Sequence, residues 1–148
     1  MVTYDEVKLV IPGEPRGKAR PRVTKYGAYT PKPTRDREAY IKKLWQAAGA
    51  KKLAYPEQGV ELEVTAYFPV RKSWSKATKQ YLAGRLHTKR PDLDNVVKLV
   101  LDALNGGPFP DDGCVALIRA EKFWTAGPGR TEIVLRSLRR GRDTADHD

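Results

Sequence analysis

Alternation of apolar and polar residues marks four candidate β-strands along the chain. The clearest covers Val60–Phe68, where every second residue is apolar, as in a strand buried on one face. A shorter alternating run covers Val7–Ile11. Two further runs, Cys114–Trp124 and Thr131–Leu138, are separated by the turn Ala126–Gly129, and this short spacing favours an antiparallel hairpin.

Apolar residues at helical spacing predict three helices between these strands. The first begins at a Thr34 cap and runs to about Ala48, and the second covers Lys76–Ala83 behind a cap at Ser73 or Ser75. The third runs from Asp94 to Leu104, and Gly106-Gly107-Pro108 ends it. Its apolar face is made by Val96, Val97, Val100, Leu101 and Leu104.

These elements predict an α+β fold in one compact domain over residues 1–140. We expect a mixed β-sheet of about four strands with helices packed on it. The length suffices for a substantial core, and 40% hydrophobic content argues against disorder. Residues 141–148 are polar and are expected to form a disordered tail.

Charge makes nucleic acid the leading partner, because the net charge is +10 at pH 7. Basic residues concentrate in segments 16–37 and 71–90. Proline and glycine make the first segment a loop, and Tyr26 and Tyr29 within it suit stacking on bases. A solvated loop is the alternative for any single residue. The expected DNA-binding residues are Arg16, Lys18, Arg20, Arg22, Lys25, Lys32, Lys89 and Arg90.

The single cysteine, Cys114, excludes an internal disulfide and a cysteine-based zinc site, and it fits a reducing cytoplasm. It lacks a neighbouring histidine, so we expect a strand residue rather than a nucleophile. No apolar run is long enough to span a membrane, and the N-terminal residues lack the pattern of a signal peptide. These features predict a cytoplasmic protein without a membrane partner.

Acidic residues gather between positions 90 and 115, which read RPDLDNVVKLVLDALNGGPFPDDGCV. Asp92 and Asp94 flank the start of the third helix, and Asp111 and Asp112 precede the next strand. A helix cap needs one carboxylate, and adjacent carboxylates on a turn repel each other without a cation. Two acidic pairs, separated by a helix that could bring them together, suit a hard divalent cation held against a polyanion.

Lys98 shares one helical face with Asp94 and Asp102 at four-residue spacing. It is either a surface ion-pair partner or a cation beside the metal, directed at the scissile phosphate or the attacking water. Mg²⁺ prefers oxygen ligands and retains several waters, so two or three carboxylates suffice. Neither His87 nor His147 falls within the acidic segment, and no Ser/His/Asp triad is supported.

The segment RPDLDNVVKLVLDALNG followed by DDGCV resembles the RusA family of Holliday-junction resolvases, many of them encoded by phages or prophages. The resemblance extends to a strand ending in proline and the basic loop GEPRGKARPR, and covers most of residues 6–136. It implies a RusA-like fold and a homodimer in a bacterial cell that cuts four-way DNA junctions symmetrically with Mg²⁺ or Mn²⁺. Such cleavage would serve DNA recombination and repair or phage DNA processing.

The same resemblance implies roles for individual residues. The implied catalytic residues are Asp92, Asp94, Asp112 and Lys98, and the implied metal ligands are Asp92, Asp94 and Asp112, with Asp111 beside them. Cys114 stands where members of the family often carry Gln. Two other functions stay open from the residues alone: a non-catalytic basic nucleic-acid-binding protein, and a nuclease for flaps or other branched DNA.

Overall fold

A four-stranded mixed sheet with helices on one face forms the body of the protein. The computed structural model describes residues 2–139, so the expected tail lies outside the described part. The strands are β1 (Glu6–Pro12), β2 (Arg22–Thr24), β3 (Gly27–Tyr29), β4 (Val60–Pro69), β5 (Val115–Thr125) and β6 (Arg130–Ser137). The helices are α1 (Lys32–Ala47), α2 (Lys76–Leu82) and α3 (Leu93–Leu104), with short 3-10 turns at Pro56–Gln58 and Asp112–Cys114.

The sheet has the strand order β1-β6-β4-β5, with β4 parallel to β5 and antiparallel to β6. The α+β prediction is confirmed, but the hairpin between the last two strands is wrong, because β4 lies between β5 and β6. The residues Val60, Leu62, Val64 and Ala66 of β4 are 0% exposed. Strand β4, the most buried strand, therefore lies inside the sheet, and the turn that joins β5 to β6 passes over the end of β4.

The hydrophobic core lies between the sheet and the two longer helices. From α1 it takes Ile41 and Trp45, and from α3 it takes Val96, Val100 and Leu104. The opposite face of the sheet is polar, where Arg136 pairs with Glu6, Glu61 and Glu63. Packing on one face therefore fixes α3 and leaves its polar side open to solvent.

Of the helix caps predicted from the sequence, one is confirmed and one is wrong. Ser75 caps α2 as expected, since its Oγ accepts from the Thr78 amide at 3.2 Å. Thr34 does not cap α1, which begins two residues earlier; Thr34 is buried, and its Oγ1 accepts from the Ala19 amide at 3.3 Å. No helix within residues 2–139 combines the length and apolar character needed to cross a membrane.

Part of the first basic segment forms a small hairpin rather than a plain loop. Strands β2 and β3 pair with each other in a separate two-stranded sheet, and all their residues are exposed. Lys25 and Tyr26 lie in the turn, and Gly27 has a φ of +118° that a residue with a side chain rarely adopts. The hairpin presents basic and aromatic residues to solvent.

Candidate active site

The segment that leads into α3 is attached to the end of β5. Lys122 on β5 donates from its Nζ to the carbonyls of Lys89 at 2.7 Å and Pro91 at 2.8 Å. The Arg90–Pro91 peptide bond is cis. These two hydrogen bonds place Asp92, the next residue, beside the C-terminal part of β5.

Asp92 and Asp94 are both exposed in the first turn of α3. Asp92 holds the N-cap position, but its carboxylate makes no capping hydrogen bond. Asp94 accepts from the adjacent Asn95 amide at 3.0 Å. Helix capping therefore does not account for the Asp92 carboxylate. The positive end of the helix dipole favours negative charge at this turn.

The basic loop packs directly against this acidic turn. The Lys18 amide donates to the Asn95 carbonyl at 2.9 Å. A Cβ on Gly17 would lie only 3.0 Å from the Pro91 Cβ and 3.1 Å from the Asn95 Cβ, so glycine permits the close approach. A groove of about 370 Å³ results, and it is lined by Gly17, Lys18, Arg90, Pro91, Asp92 and Asn95.

Lys18 lies in an ion-pair cluster and not free at the surface. Its Nζ pairs with Asp102 on α3 and, at 3.2 Å, with Glu38 on α1, and its side chain is 16% exposed. Burial acts to lower the pKa of Lys18, but the hydrogen bonds and charges of Asp102 and Glu38 outweigh it and raise the pKa above its ordinary value. We therefore assign Lys18 to holding the loop, although its sequence context predicted DNA contact.

The other expected DNA-binding residues are exposed. Lys32 pairs with Asp36 at 3.1 Å on the surface of α1, an i,i+4 pair of little energetic weight. The remainder lie around the groove, on the hairpin or on the loop that joins them: Arg16, Arg20, Arg22, Lys25, Lys89 and Arg90. Apart from Lys18, the structure thus presents the predicted basic set to solvent.

Lys98 is exposed on α3, one turn after Asp94. Within residues 2–139 it forms no ion pair, and Asp102, the other acid on its face, pairs with Lys18 instead. The alternative role of Lys98, a surface ion pair, is therefore absent from the described part of the chain. Its ammonium group is available to a ligand near the start of α3.

The second acidic pair lies at the other end of α3. The Asp112 amide donates to the Oδ1 of Asn105, the residue after the helix, at 3.1 Å. Asp111 accepts from the Gly113 amide at 3.0 Å, which is the turn role that its sequence position allowed. The Asp112 carboxylate is exposed, and within residues 2–139 it accepts no hydrogen bond.

The two acidic pairs are far apart within one chain. Helix α3 has 12 residues. At 1.5 Å per residue, it separates them by roughly 18 Å. No group of three or more His, Cys, Asp or Glu side chains in residues 2–139 is arranged to hold a metal ion. The expectation that the intervening helix brings both pairs together is not met, because a straight helix keeps its two ends apart.

Sequence comparison identifies the family. A family model described as Endodeoxyribonuclease RusA matches residues 12–136, which is most of the chain. The chain belongs to the RusA family of endodeoxyribonucleases. A Bacillus subtilis (strain 168) protein, the uncharacterized protein YqaN, is 30% identical over 142 residues, covering 90% of this chain and 98% of that protein. The resemblance seen in residues 90–115 is thereby confirmed.

Three residues that support the RusA site were not predicted from the sequence. Lys122 holds the segment before Asp92, Asn95 anchors the basic loop, and Asn105 holds Asp112. Both asparagines lie inside the family motif, but only Asn105 uses its side chain, so only that contact could be predicted from the residue type. Lys122 lies on a distant strand, and nothing in its local sequence indicates the contact.

Proposed function

We propose that this RusA-family protein is a Mg²⁺-dependent endonuclease that resolves four-way DNA junctions by symmetric phosphodiester hydrolysis. The observation that carries the proposal is the exposed Asp92 carboxylate, which makes no hydrogen bond or ion pair within residues 2–139 and lies beside exposed basic residues. We place this activity in DNA recombination and repair or phage DNA processing in a bacterial cytoplasm. Mn²⁺ is expected to substitute for Mg²⁺.

The residues present fit a hard divalent cation. Asp92 and Asp94 offer exposed carboxylate oxygens, the ligand type that Mg²⁺ prefers. Mg²⁺ held by these carboxylates would neutralise charge on the scissile phosphate and lower the pKa of a bound water. Lys98, one turn along the same helix, adds a positive charge that stabilises the charge developing on the phosphate. Asp112 is the remaining ligand, and Asp111 orders the turn that carries it.

Two copies of the chain are needed to assemble this site. The start of β5, near Asp112, and the end of β5, near Asp92, lie at opposite ends of one strand. Residues 84–87 cover the outer edge of β5 at Lys122 and Trp124, whereas in residues 2–139 no segment pairs with that edge over 115–121. Within this free stretch Leu117 is 46% exposed and Ile118 49%.

Antiparallel pairing of two such edges about a two-fold axis near Ile118 places the start of one β5 beside the end of the other. Asp112 of the partner subunit then approaches Asp92 and Asp94. An exposed apolar edge strand is a ready-made pairing surface. Strand β4, whose apolar alternation is the clearest in the chain, has neighbours on both edges and so offers no free edge. The dimer presents two sites, matching the two opposed strands that junction resolution must cut.

A subunit-mixing experiment tests the shared site. Mixed dimers of Asp92→Asn and Asp112→Asn subunits contain one site with both substitutions and one site with neither. We expect each variant alone to be inactive and the mixed dimer to nick one strand. Mixed dimers of Asp92→Asn and Asp94→Asn are the matched control, and they stay inactive because both substitutions fall in the same half of a site. Absence of nicking in both mixtures would indicate that each site is formed within a single chain.

We assign DNA binding to the basic residues around each site. Lys89 and Arg90 lie beside Asp92, and the hairpin carries Arg22 and Lys25 next to Tyr26, which is 88% exposed. We assign the first pair to the cleaved strand and the hairpin to an adjoining arm. Cleavage of a synthetic four-way junction, a flap and a linear duplex with Mg²⁺ compares the substrates. Equal cutting of all three would favour a nuclease without preference for junctions. Binding without cutting would favour a non-catalytic nucleic-acid-binding protein.

A further inference from the structure

An aromatic cavity of about 500 Å³ adjoins the groove at Asp92. Its walls include Phe68 at the end of β4, Trp124 at the end of β5, and Trp74 and His87 from the connection between β4 and α3. Cavities of about 300–1,000 Å³ are typical of sites for small organic groups. The cavity shares Arg90 and Pro91 with the groove, so an occupant of one lies next to an occupant of the other.

His87 gives this cavity an unused polar group. The residue is 5% exposed, and its Nδ1 is buried with no hydrogen-bond partner in the described part of the chain. Its ring stacks on Phe68 at a centroid distance of 3.8 Å and lies 4.4 Å from the Trp124 ring. Burial, and then the charge of Lys122, lower the pKa of His87 to about 4, so the imidazole is neutral at pH 7. A buried polar atom without a partner is costly. Nδ1 lies just beneath the cavity surface, so a ligand accepts or donates a hydrogen bond there only after a small shift of the His87 ring.

The charges around the cavity favour one kind of ligand. Arg71, Lys89 and Arg90 contribute positive charge to the lining, which attracts a nucleic acid strand. Glu14 also lines the cavity, and its carboxylate opposes a phosphate group inside. Aromatic walls with a neutral imidazole and one carboxylate suit a flat, uncharged ring with polar edges.

We propose that this cavity receives one unstacked nucleobase of the DNA strand held for cleavage, beside the scissile phosphate. The proposal rests on the proposed function, because Asp92 places the scissile phosphate in the adjoining groove. Arg90, which lines both spaces, contacts the phosphate between them. Turning a base outward costs unpairing and unstacking energy, which contacts with the cavity walls would offset.

The first test measures unstacking during binding alone. Two adjacent 2-aminopurines beside the cleavage position give a coupled long-wavelength circular dichroism signal that is lost when the two bases separate. We expect saturating Asp94→Asn protein to abolish this signal, and Asp94→Asn combined with Trp74→Leu, at equal saturation, to preserve it. Asp94→Asn with Tyr81→Ala is the control, since Tyr81 is an exposed ring stacked with Arg85 and is not part of the cavity lining. A signal unchanged by Asp94→Asn protein, or lost equally with Trp74→Leu, overturns the proposal.

The second test measures base discrimination during cleavage. Junctions that differ only in the base beside the cut are compared by kcat/KM. We expect Trp74→Leu and His87→Leu each to reduce the ratio between best and worst base several-fold, because Trp74 contributes base-dependent stacking strength and His87 a polar group beside the base edge. Tyr81→Ala should keep the ratio. Discrimination retained in both cavity variants, in a protein that still cuts junctions, overturns the cavity proposal and leaves the proposed function intact. A wild type that unstacks the probes but cuts no branched DNA overturns the proposed function instead.

Discussion

Lys18 pairs with Asp102, which lies 84 residues further along the chain, and so fastens the basic loop to α3. Glu38 on α1 completes the cluster at 3.2 Å. The raised pKa of Lys18 means that this stabilisation is fully present at neutral pH and is lost only as the pH rises through that raised value. The loop that borders the groove is therefore held in place by the charge of Lys18, a residue that the sequence had predicted to bind DNA.

Lys18→Met is expected to lower the free energy of unfolding by about 1–2 kcal/mol, since it leaves two partly buried carboxylates without a partner. Urea denaturation measures the change. Arg20→Met, on the same loop but exposed, is the matched control and should unfold at the wild-type urea concentration. Equal stability of Lys18→Met and Arg20→Met would contradict the anchoring role.

Asp92→Asn, Asp94→Asn and Asp112→Asn are each expected to abolish junction cleavage while binding is retained. Removing a carboxylate removes a metal ligand, but it also removes charge that repels phosphate. Because Asp92 makes no capping hydrogen bond, its substitution should leave circular dichroism and unfolding unchanged. Asp36→Asn, an exposed acid on α1, controls for the loss of charge. Loss of fold or of gel-shift binding in the site variants would point back to a structural role.

Lys98→Ala is expected to reduce cleavage strongly while metal binding survives. Its ammonium group has no ion-pair partner in residues 2–139, so stability should change by less than about 0.5 kcal/mol. Cleavage rates at saturating Mg²⁺, together with calorimetric Mn²⁺ binding, separate the two effects. Lys43→Ala, an exposed lysine on α1, is the control. Wild-type cleavage by Lys98→Ala would remove it from the proposed chemistry.

Junction affinity is expected to fall steeply with salt, with a slope of about −0.9 per neutralised phosphate for duplex DNA. Replacing Arg20 and Arg22 with Ala, or Lys89 and Arg90 with Ala, should shallow that slope. Lys18→Met should keep it, because Lys18 is committed to Asp102 and Glu38. Gel shifts across a salt series provide the measurement. An unchanged slope in both double variants would show that DNA binds to another part of the protein surface.

His87 is expected to make folding stability depend on pH. Its pKa is about 4 in the folded protein against an ordinary 6.5, so the unfolded chain binds the proton more readily. Stability is complete above pH 6.5 and falls as the pH drops towards 4, by up to about 3 kcal/mol. Urea denaturation of wild type and His87→Leu at pH 7 and pH 5 isolates the effect. A wild-type loss no larger than that of His87→Leu would show that His87 is not responsible.

Periodicity and composition predicted the elements well, because each depends on residues close in sequence. Alternation in Val60–Pro69 and the apolar face of Leu93–Leu104 both correspond to buried surfaces. The wrong hairpin arose because neighbours along the chain need not be neighbours in a sheet, and the more buried β4 takes the central place. The basic hairpin of β2 and β3 was missed because its short strands lack any apolar alternation.

The candidate site was predicted as a set of residue types, but not as an arrangement. The motif that holds Asp92, Asp94 and Lys98 is contiguous, so sequence alone could identify it. Its distance from Asp112 follows from the direction of α3, and the role of Lys18 from contacts with Glu38 and Asp102. These relationships join residues far apart in the chain, and local patterns carry no record of them.

The connection from β4 to β5 gives the chain a built-in order of assembly. Parallel strands cannot be joined by a tight turn, and here the crossover contains α2, α3 and the acidic residues. Closing so long a loop is a late and slow event in folding. The parallel pairing of β4 with β5 and the position of the acidic turn therefore depend on each other, because one crossover carries both.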